Sequence, residues 1–296
     1  MQISLSRLIG SIVRRIEWLA LVSVVWLFRL IPVDVASAVM GWLWRRIAPF
    51  NPRHKRALRH LANAMPELSP ADRARIVDGM WDNLGRVAAE AFHIDRLLHL
   101  QQRFEIDIDD LTQEVFERKG GCVFVSLHSG NWELCVAPAV WRGVPITGVY
   151  QALKNAHSDA VLRQLRGELY PGGLFSKGHQ TARKLVSILR QGGAVAIMSD
   201  LRERRGLVVP FFDQPAYATP VPVSLARACN VPIIMGRTVR LDGVRFRIEG
   251  RGLILPRTDD KEADIQAGTE AIHAQFEAWI REYPEQWMWI HRKWSA

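Results

Sequence analysis

Cysteine is scarce in this chain of 296 residues: Cys122, Cys135 and Cys229 are widely spaced and odd in number, which excludes a disulfide framework and argues against a zinc site. A reducing, cytoplasm-facing body fits that usage best. No Gly-x-Ser-x-Gly elbow occurs, so the chain lacks the setting in which a serine hydrolase or thioesterase activates its nucleophile. His54, His60, His93, His99, His157, His179 and His273 fit no metal-ligand spacing and receive no role; no metal and no cofactor is expected. There is no internal repeat, no low-complexity tract and no linker rich in Gly or Ser. Acid is in deficit: 39 Lys+Arg against 30 Asp+Glu leave +9, which calls for an anionic partner without choosing among phospholipid, phosphorylated ligand, acidic protein and nucleic acid. The basic residues are dispersed and no nucleic-acid motif appears, so nucleic acid is set aside.

What is abundant is tryptophan at the two ends: Trp18, Trp26, Trp42 and Trp44 near the start, and Trp279, Trp287, Trp289 and Trp294 near the end. Residues 18–28 read WLALVSVVWLF, too short for the roughly 20 apolar residues of a spanning helix. A second apolar stretch, 30–44, contains Pro32 and Asp34, and Arg14, Arg15, Arg29, Arg45 and Arg46 bracket both. Tryptophan-rich apolar segments with basic flanks suit the headgroup boundary of an anionic membrane. No small-residue cleavage site follows, so residues 1–48 are expected to be a retained anchor, monotopic or single-span. An ordinary buried helix pair is the alternative.

Ser69-Pro70-Ala71-Asp72 combines an N-cap serine, proline at the first helical position and an early acid, and predicts a helix to about residue 98. Continuous apolar runs at 122–127, 146–149, 194–198 and 231–235 read as strands buried on both faces. Helical patterns lie between them at 132–141, 158–170 and 180–191, the last closed by Gly192-Gly193. Residues 231–240 and 244–249 read as a hairpin across Asp242-Gly243, and 261–283 as one long helix. The expected fold is α/β: a mixed, mainly parallel sheet flanked by helices, with N-terminal membrane-associated helices. A helical lead-in at 49–100 and an α/β core at 101–296 form one domain, and a monomer is expected.

At the end of the strand 122–127 comes His128-Ser129-Gly130-Asn131-Trp132-Glu133, an imidazole at the carboxyl end of a parallel strand, where open α/β sheets build sites. If 129–131 form a turn, Glu133 lies beside the ring, accepts from one nitrogen, and leaves the other to take a proton from a hydroxyl. The plain alternative is a strand-end histidine and a first-turn acid favoured by the helix dipole. Arg202, Arg204 and Arg205 form a basic cluster suited to phosphates or an acidic protein face. Phe211, Phe212, Trp132 and Trp141 are candidate walls of an apolar groove, against the reading that they are core.

His128 to Glu133 resembles the His, four residues, Asp or Glu signature of the bacterial lipid A late acyltransferases and of their relatives that acylate phosphatidylinositol mannosides and lysophospholipids. Other landmarks follow in family order: the 63–66 stretch, Tyr150 with Asn155, Arg166, Asp200, Val209-Pro210-Phe211-Phe212, Thr219, Leu225-Ala226, and Pro284-Glu285-Gln286-Trp287-Met288-Trp289-Ile290-His291-Arg292. The resemblance implies a membrane O-acyltransferase moving an acyl chain from a thioester, on acyl carrier protein or coenzyme A, to a hydroxyl of a glycolipid such as a lipid A precursor. It places the enzyme at the bacterial inner membrane, facing the cytoplasm. It makes His128 the general base and Glu133 its carboxylate, with Arg166, Arg202 and Arg205 on oxyanion or phosphate. The substrate groove falls to Asn131, Trp132, Tyr150, Asn155, Phe211 and Phe212. Members usually carry Asp-Gln where this chain has Asp200-Leu201. In the mannoside-acylating relatives the carboxylate comes from the Asp200 region; Asp200 is therefore the alternative carboxylate, ranked behind Glu133.

Overall fold

The computed structural model describes residues 5–294. Helices α1 (Leu5–Leu30), α2 (Val33–Ile47), α3 (Pro52–Ala64), α4 (Pro70–Glu90) and α5 (Ile94–Leu98) precede the first strand. The body then runs β1 (Phe104–Ile108), α6 (Asp110–Glu117), β2 (Cys122–Ser126), α7 (Ala137–Trp141), β3 (Ile146–Tyr150), α8 (Ala156–Arg166), β4 (Gly173–Ser176), α9 (His179–Arg190) and β5 (Ala194–Met198). It closes with β6 (Leu207–Phe211), β7 (Gln214–Ala218), α10 (Val221–Cys229), β8 (Ile233–Asp242), β9 (Arg245–Leu253) and α11 (Lys261–Glu282).

Seven strands form one sheet in the order β1-β9-β8-β2-β5-β3-β4. All pairings are parallel except β8 with β9, so the sheet is mixed and mainly parallel. β6 and β7 make a separate antiparallel hairpin that the sequence reading lacked, because Pro210 and Pro215 fall within it and disguise both strands. β1 and β4 were also unforeseen: β1 is an edge strand and largely exposed, and β4 is a four-residue edge strand, so neither carries a core-like run.

β2 shows why the centre of the sheet is so apolar. Val123, Val125 and Leu127 enter one buried cluster with α3, α4, α9, α10 and α11, while Cys122 and Phe124 enter the other with α5, α6 and α7. Alternate residues face opposite sides, and both sides are covered by helices. Residues predicted as one helix at 132–141 instead form a 3₁₀ turn, Trp132–Val136, followed by the short α7; Pro138 sits in its first turn, where it needs no donor.

Among the described residues no helix is long and apolar enough to cross a membrane, which corrects the single-span form of the expected anchor. α1 has 26 residues, but Arg14, Arg15, Glu17 and Arg29 interrupt it. Arg29 makes two bonds to Asp95, at 2.9 and 2.7 Å, and Arg103 pairs with Asp34 of α2 at 2.7 Å. The helices are thus held against the body by ion pairs. Gly41 and Gly85 let α2 and α4 approach closely: a Cβ on Gly85 would lie 2.4 Å from the Met40 carbonyl oxygen.

Candidate active site

Strand register creates the first contact of the site. β2 and β5 are parallel neighbours, with Cys122 opposite Ala194 and Ser126 opposite Met198, and the ladder extends one step further through Ser199 N–H to the Ser126 carbonyl at 2.9 Å. The same offset carried two residues on sets His128 opposite Asp200. His128 Nδ1 lies 2.8 Å from Asp200 Oδ1, and the His128 backbone N–H donates to Oδ2 at 2.9 Å. Trp287 Nε1 donates to the same Oδ2 at 2.9 Å. Asp200 is fully buried and acceptor-only, and three donors surround it. Burial works to raise its pKa, but the charge and bonds of His128 and the Trp287 indole outweigh burial and hold it well below the ordinary carboxylate range.

Asp200, not Glu133, is therefore the carboxylate that orients the His128 ring. The 3₁₀ turn at Trp132–Val136 swings Glu133 toward α8, where its Oε1 accepts from Arg166 Nη2 at 2.5 Å. A sequence signal for Asp200 existed: it follows β5 by the same two residues by which His128 follows β2. It required knowing that β5, and not β3, lies beside β2.

The loop carrying His128 is gripped from below. Gly130 N–H donates to the Gln286 carbonyl at 3.1 Å and Met288 N–H to the His128 carbonyl at 3.1 Å, while Ser129 and Trp287 form an antiparallel bridge. Gly130 has φ +55°, and a Cβ there would sit 1.9 Å from the Thr238 carbonyl oxygen, so glycine is required on both counts. Asn131 donates to buried Glu90 at 2.8 Å. Glu90 also accepts from Ser37 at 2.6 Å and from Arg240 at 2.6 and 2.9 Å. Asn83 of α4 completes the network by donating to the Gly130 carbonyl at 3.0 Å and accepting from Arg240 at 2.9 Å. Helices α2 and α4, strand β8 and the C-terminal segment thus hold the His128 turn through a buried polar network, within which Asn131 Oδ1 has no hydrogen-bond partner among the described residues.

A cavity of about 630 Å³ opens over the ring, lined by His128, Trp132, Glu133, Tyr150, Arg166, Leu201, Arg202 and a largely apolar wall that includes Leu185, Ile197, Leu225 and Met288. Trp132 stands edge-on to His128 at 5.1 Å, and His291 lies 5.5 Å away on another side. Burial first, then the neighbouring His128, push the His291 imidazole down to about 4; it is neutral at pH 7. Tyr150 donates to Asp159 at 2.6 Å. A polar cluster at one end and an apolar wall beside it suit a ligand with a reactive polar head and a hydrocarbon tail.

Other expected groove residues lie elsewhere. Phe211 and Phe212 are buried in an aromatic stack with Trp287, Trp289 and Trp294, because Phe211 ends the β6 strand pointing into the core. Asn131 is consumed by Glu90. Asn155 caps α8 and donates to the Arg14 carbonyl at 2.7 Å, joining α1 to the body. Trp141 donates to the Leu98 carbonyl at 2.8 Å. Arg202 lies over the Tyr217 ring at 5.5 Å, whereas Arg205 is exposed and outside the cavity lining. His291 and Trp287 were visible only as part of the closing segment, without roles, since nothing local in the sequence shows that this segment returns to the β2 turn.

Residues 8–296 match the family described as bacterial lipid A biosynthesis acyltransferase. The chain is 25% identical over 277 residues to a phosphatidylinositol mannoside acyltransferase of Mycolicibacterium smegmatis, covering 91% of this chain and 88% of that one. It is 23% identical over 297 residues to the lipid A biosynthesis palmitoleoyltransferase of Escherichia coli, covering 95% and 91%. A phosphatidylinositol mannoside acyltransferase of Mycobacterium tuberculosis is 25% identical over 229 residues, 73% of this chain and 69% of that one. With a match that spans nearly the whole sequence and a histidine, carboxylate and arginine gathered at one apolar cavity, the chain belongs to the bacterial lipid A biosynthesis acyltransferase family.

Proposed function

We propose that this acyltransferase moves a fatty acyl chain from an acyl thioester to a hydroxyl of a membrane glycolipid, a lipid A precursor, with His128 as general base. The observation that carries this reading is the His128–Asp200 pair at the mouth of the apolar cavity. Asp200 holds Nδ1, which leaves Nε2 as the nitrogen that meets substrate. Nε2 takes the acceptor's hydroxyl proton as its oxygen bonds to the thioester carbonyl carbon. Collapse of the oxyanion breaks the carbon–sulfur bond, and the proton passes from His128 to the departing thiolate. No covalent enzyme intermediate is needed. Arg166, fixed by Glu133, is placed to stabilise the oxyanion or hold a substrate phosphate in a water-poor groove.

Trp26, Leu30, Val39, Trp42, Ile47 and Phe50 are large apolar side chains left exposed on α1, α2 and the turn that follows. They support an interfacial anchor, which the proposal sets on the inner membrane with the site facing the cytoplasm. Phosphatidylinositol mannoside is the second acceptor to consider, because the relative from Mycolicibacterium acts on it and because the His128 partner here follows β5.

The test is mass spectrometry of glycolipid incubated with acyl thioester and purified protein. The expected product gains one acyl group, His128→Ala abolishes the gain, and Ser126→Ala and Ser129→Ala retain appreciable turnover. Undiminished turnover by the histidine variant, or loss of turnover in a serine variant equal to that of His128→Ala, would refute the base assignment.

A further inference from the structure

Helix α3 reads PRHKRALRHLANA and contains no acid. Arg53, Arg56 and Arg59 recur every third residue, which sets them along one side of the helix over roughly 9 Å. Ala57, Leu61 and Ala64 are the buried positions, while Arg53, Lys55 and Arg59 are exposed and Arg56 is half-buried. Arg292 of the C-terminal segment joins them: after burial, Arg292, Arg53 and Arg59 are the neighbours that lower the Arg56 pKa. None of these five cations has a carboxylate within ion-pair distance among the described residues. Asp78, whose charge reaches His54 in the first turn of α3, is bonded to Arg45 at 3.0 Å. Like charges gathered without a counterion repel one another in the free protein, and such a patch is stabilised by an anionic partner.

Its position gives the patch a bearing on the reaction. Arg56 Nη1 donates to the Ile290 carbonyl at 3.2 Å, and the next residue, His291, lines the cavity 5.5 Å from His128. Whatever docks on α3 is at the edge of the site. The run of exposed large apolar side chains on the N-terminal helices ends at Phe50, and none of the large hydrophobics of α3 is exposed. The α3 face therefore has charge without apolar side chains to insert, and guanidinium forks at regular helical spacing match the carboxylates of an acidic protein helix. The 202–205 loop is a poorer match, since Glu203 interrupts it and accepts from Arg205 N–H.

We propose that the α3 face, Arg53, Arg56 and Arg59 with Arg292, docks the acidic carrier protein that bears the acyl thioester and directs its acyl group past His291 into the cavity. This rests on the thioester-donor reading above and adds the surface that recognises the donor. Its test compares two donors with the same acyl thioester, one on acyl carrier protein and one on pantetheine, which has neither acidic protein nor phosphate. For Arg53→Glu/Arg59→Glu, both changes at exposed positions, KM for the carrier-borne donor is expected to rise at least about tenfold. The kcat should hold, KM for acyl-pantetheine should stay unchanged, and sedimentation with anionic phosphatidylglycerol vesicles should be unaltered. An unchanged KM for the carrier, an equal rise for both donors, or lost vesicle binding without a carrier-specific KM change would overturn the proposal, the last assigning the patch to membrane. Wild-type protein that uses acyl-pantetheine or acyl-coenzyme A but ignores the carrier would overturn it while sparing the transferase reading. Wild-type protein inert with every thioester would bring down that reading itself.

Discussion

His273 and His291 illustrate how burial governs single groups in this protein. His273 Nδ1 faces the Thr269 carbonyl at 2.9 Å and its Nε2 faces buried Lys293 at 2.9 Å. Burial, then the Lys293 charge, lower the His273 pKa to about 3. In the unfolded chain both imidazoles titrate near 6.5. Between pH 6.5 and these lowered values the unfolded chain binds more protons than the folded one, so stability falls as pH drops through that window. Urea midpoints measured at pH 7 and pH 5 should show the loss, and equal midpoints would mean that neither ring is kept neutral. At this scale the sequence was informative about His128, which declares itself by position after an apolar strand. It was misleading about Glu133, because five residues of separation admit a contact that the 3₁₀ turn then directs to Arg166.

Elements decide which of the plausible acids meets the imidazole. The strands β2 and β5 were legible from their apolar runs, but their adjacency was not, since β3 and β4 intervene in sequence and lie beyond β5 in the sheet. The turn between β2 and the following 3₁₀ segment is equally a product of elements, clamped by Glu90 and Asn83 of α4, Arg240 of β8 and the carbonyl of Gln286. Gly130→Ala should displace this turn, since the new Cβ meets the Thr238 carbonyl and φ is positive. The expected result is a loss of about 2 kcal/mol or more in stability and a fall in kcat of at least about tenfold, read by urea unfolding and by transfer rate. A variant with native stability and rate would show that the turn is not held in this conformation. The polar network was illegible beforehand because its members lie up to 203 residues apart, as Asn83 and Gln286 do, and no local pattern marks an arginine as the partner of a distant buried glutamate.

The whole molecule divides its surface by chemistry. Exposed apolar side chains gather on the N-terminal helices, an acid-free basic helix follows, and the cavity is lined from α8, α9, α10 and the segments around His128 and His291. Composition gave the sign of the charge and the end-loaded tryptophans, and from them the expectation of an anionic membrane partner; only the fold separates the apolar face from the basic one. Trp26→Glu/Trp42→Glu should weaken sedimentation with phosphatidylglycerol vesicles at least about tenfold, given the roughly 1.5–3 kcal/mol available from burying each large apolar side chain. Unchanged sedimentation would move the membrane contact elsewhere on the protein. The mainly parallel sheet, the long helices and the place of His128 at the end of β2 were all readable in advance. The acid bonded to that histidine, Asp200, was readable only as the second choice behind Glu133, and it is the point on which the proposed chemistry turns.

The most direct measurement is the transfer rate of Asp200→Asn beside Glu133→Gln, each with its fold verified. If Asp200 sets the tautomer and orientation of His128, Asp200→Asn loses about 10³–10⁴-fold in kcat/KM, and Glu133→Gln, which loosens Arg166 alone, loses at least about tenfold less. A Glu133→Gln loss that equals or exceeds that of Asp200→Asn would contradict the account.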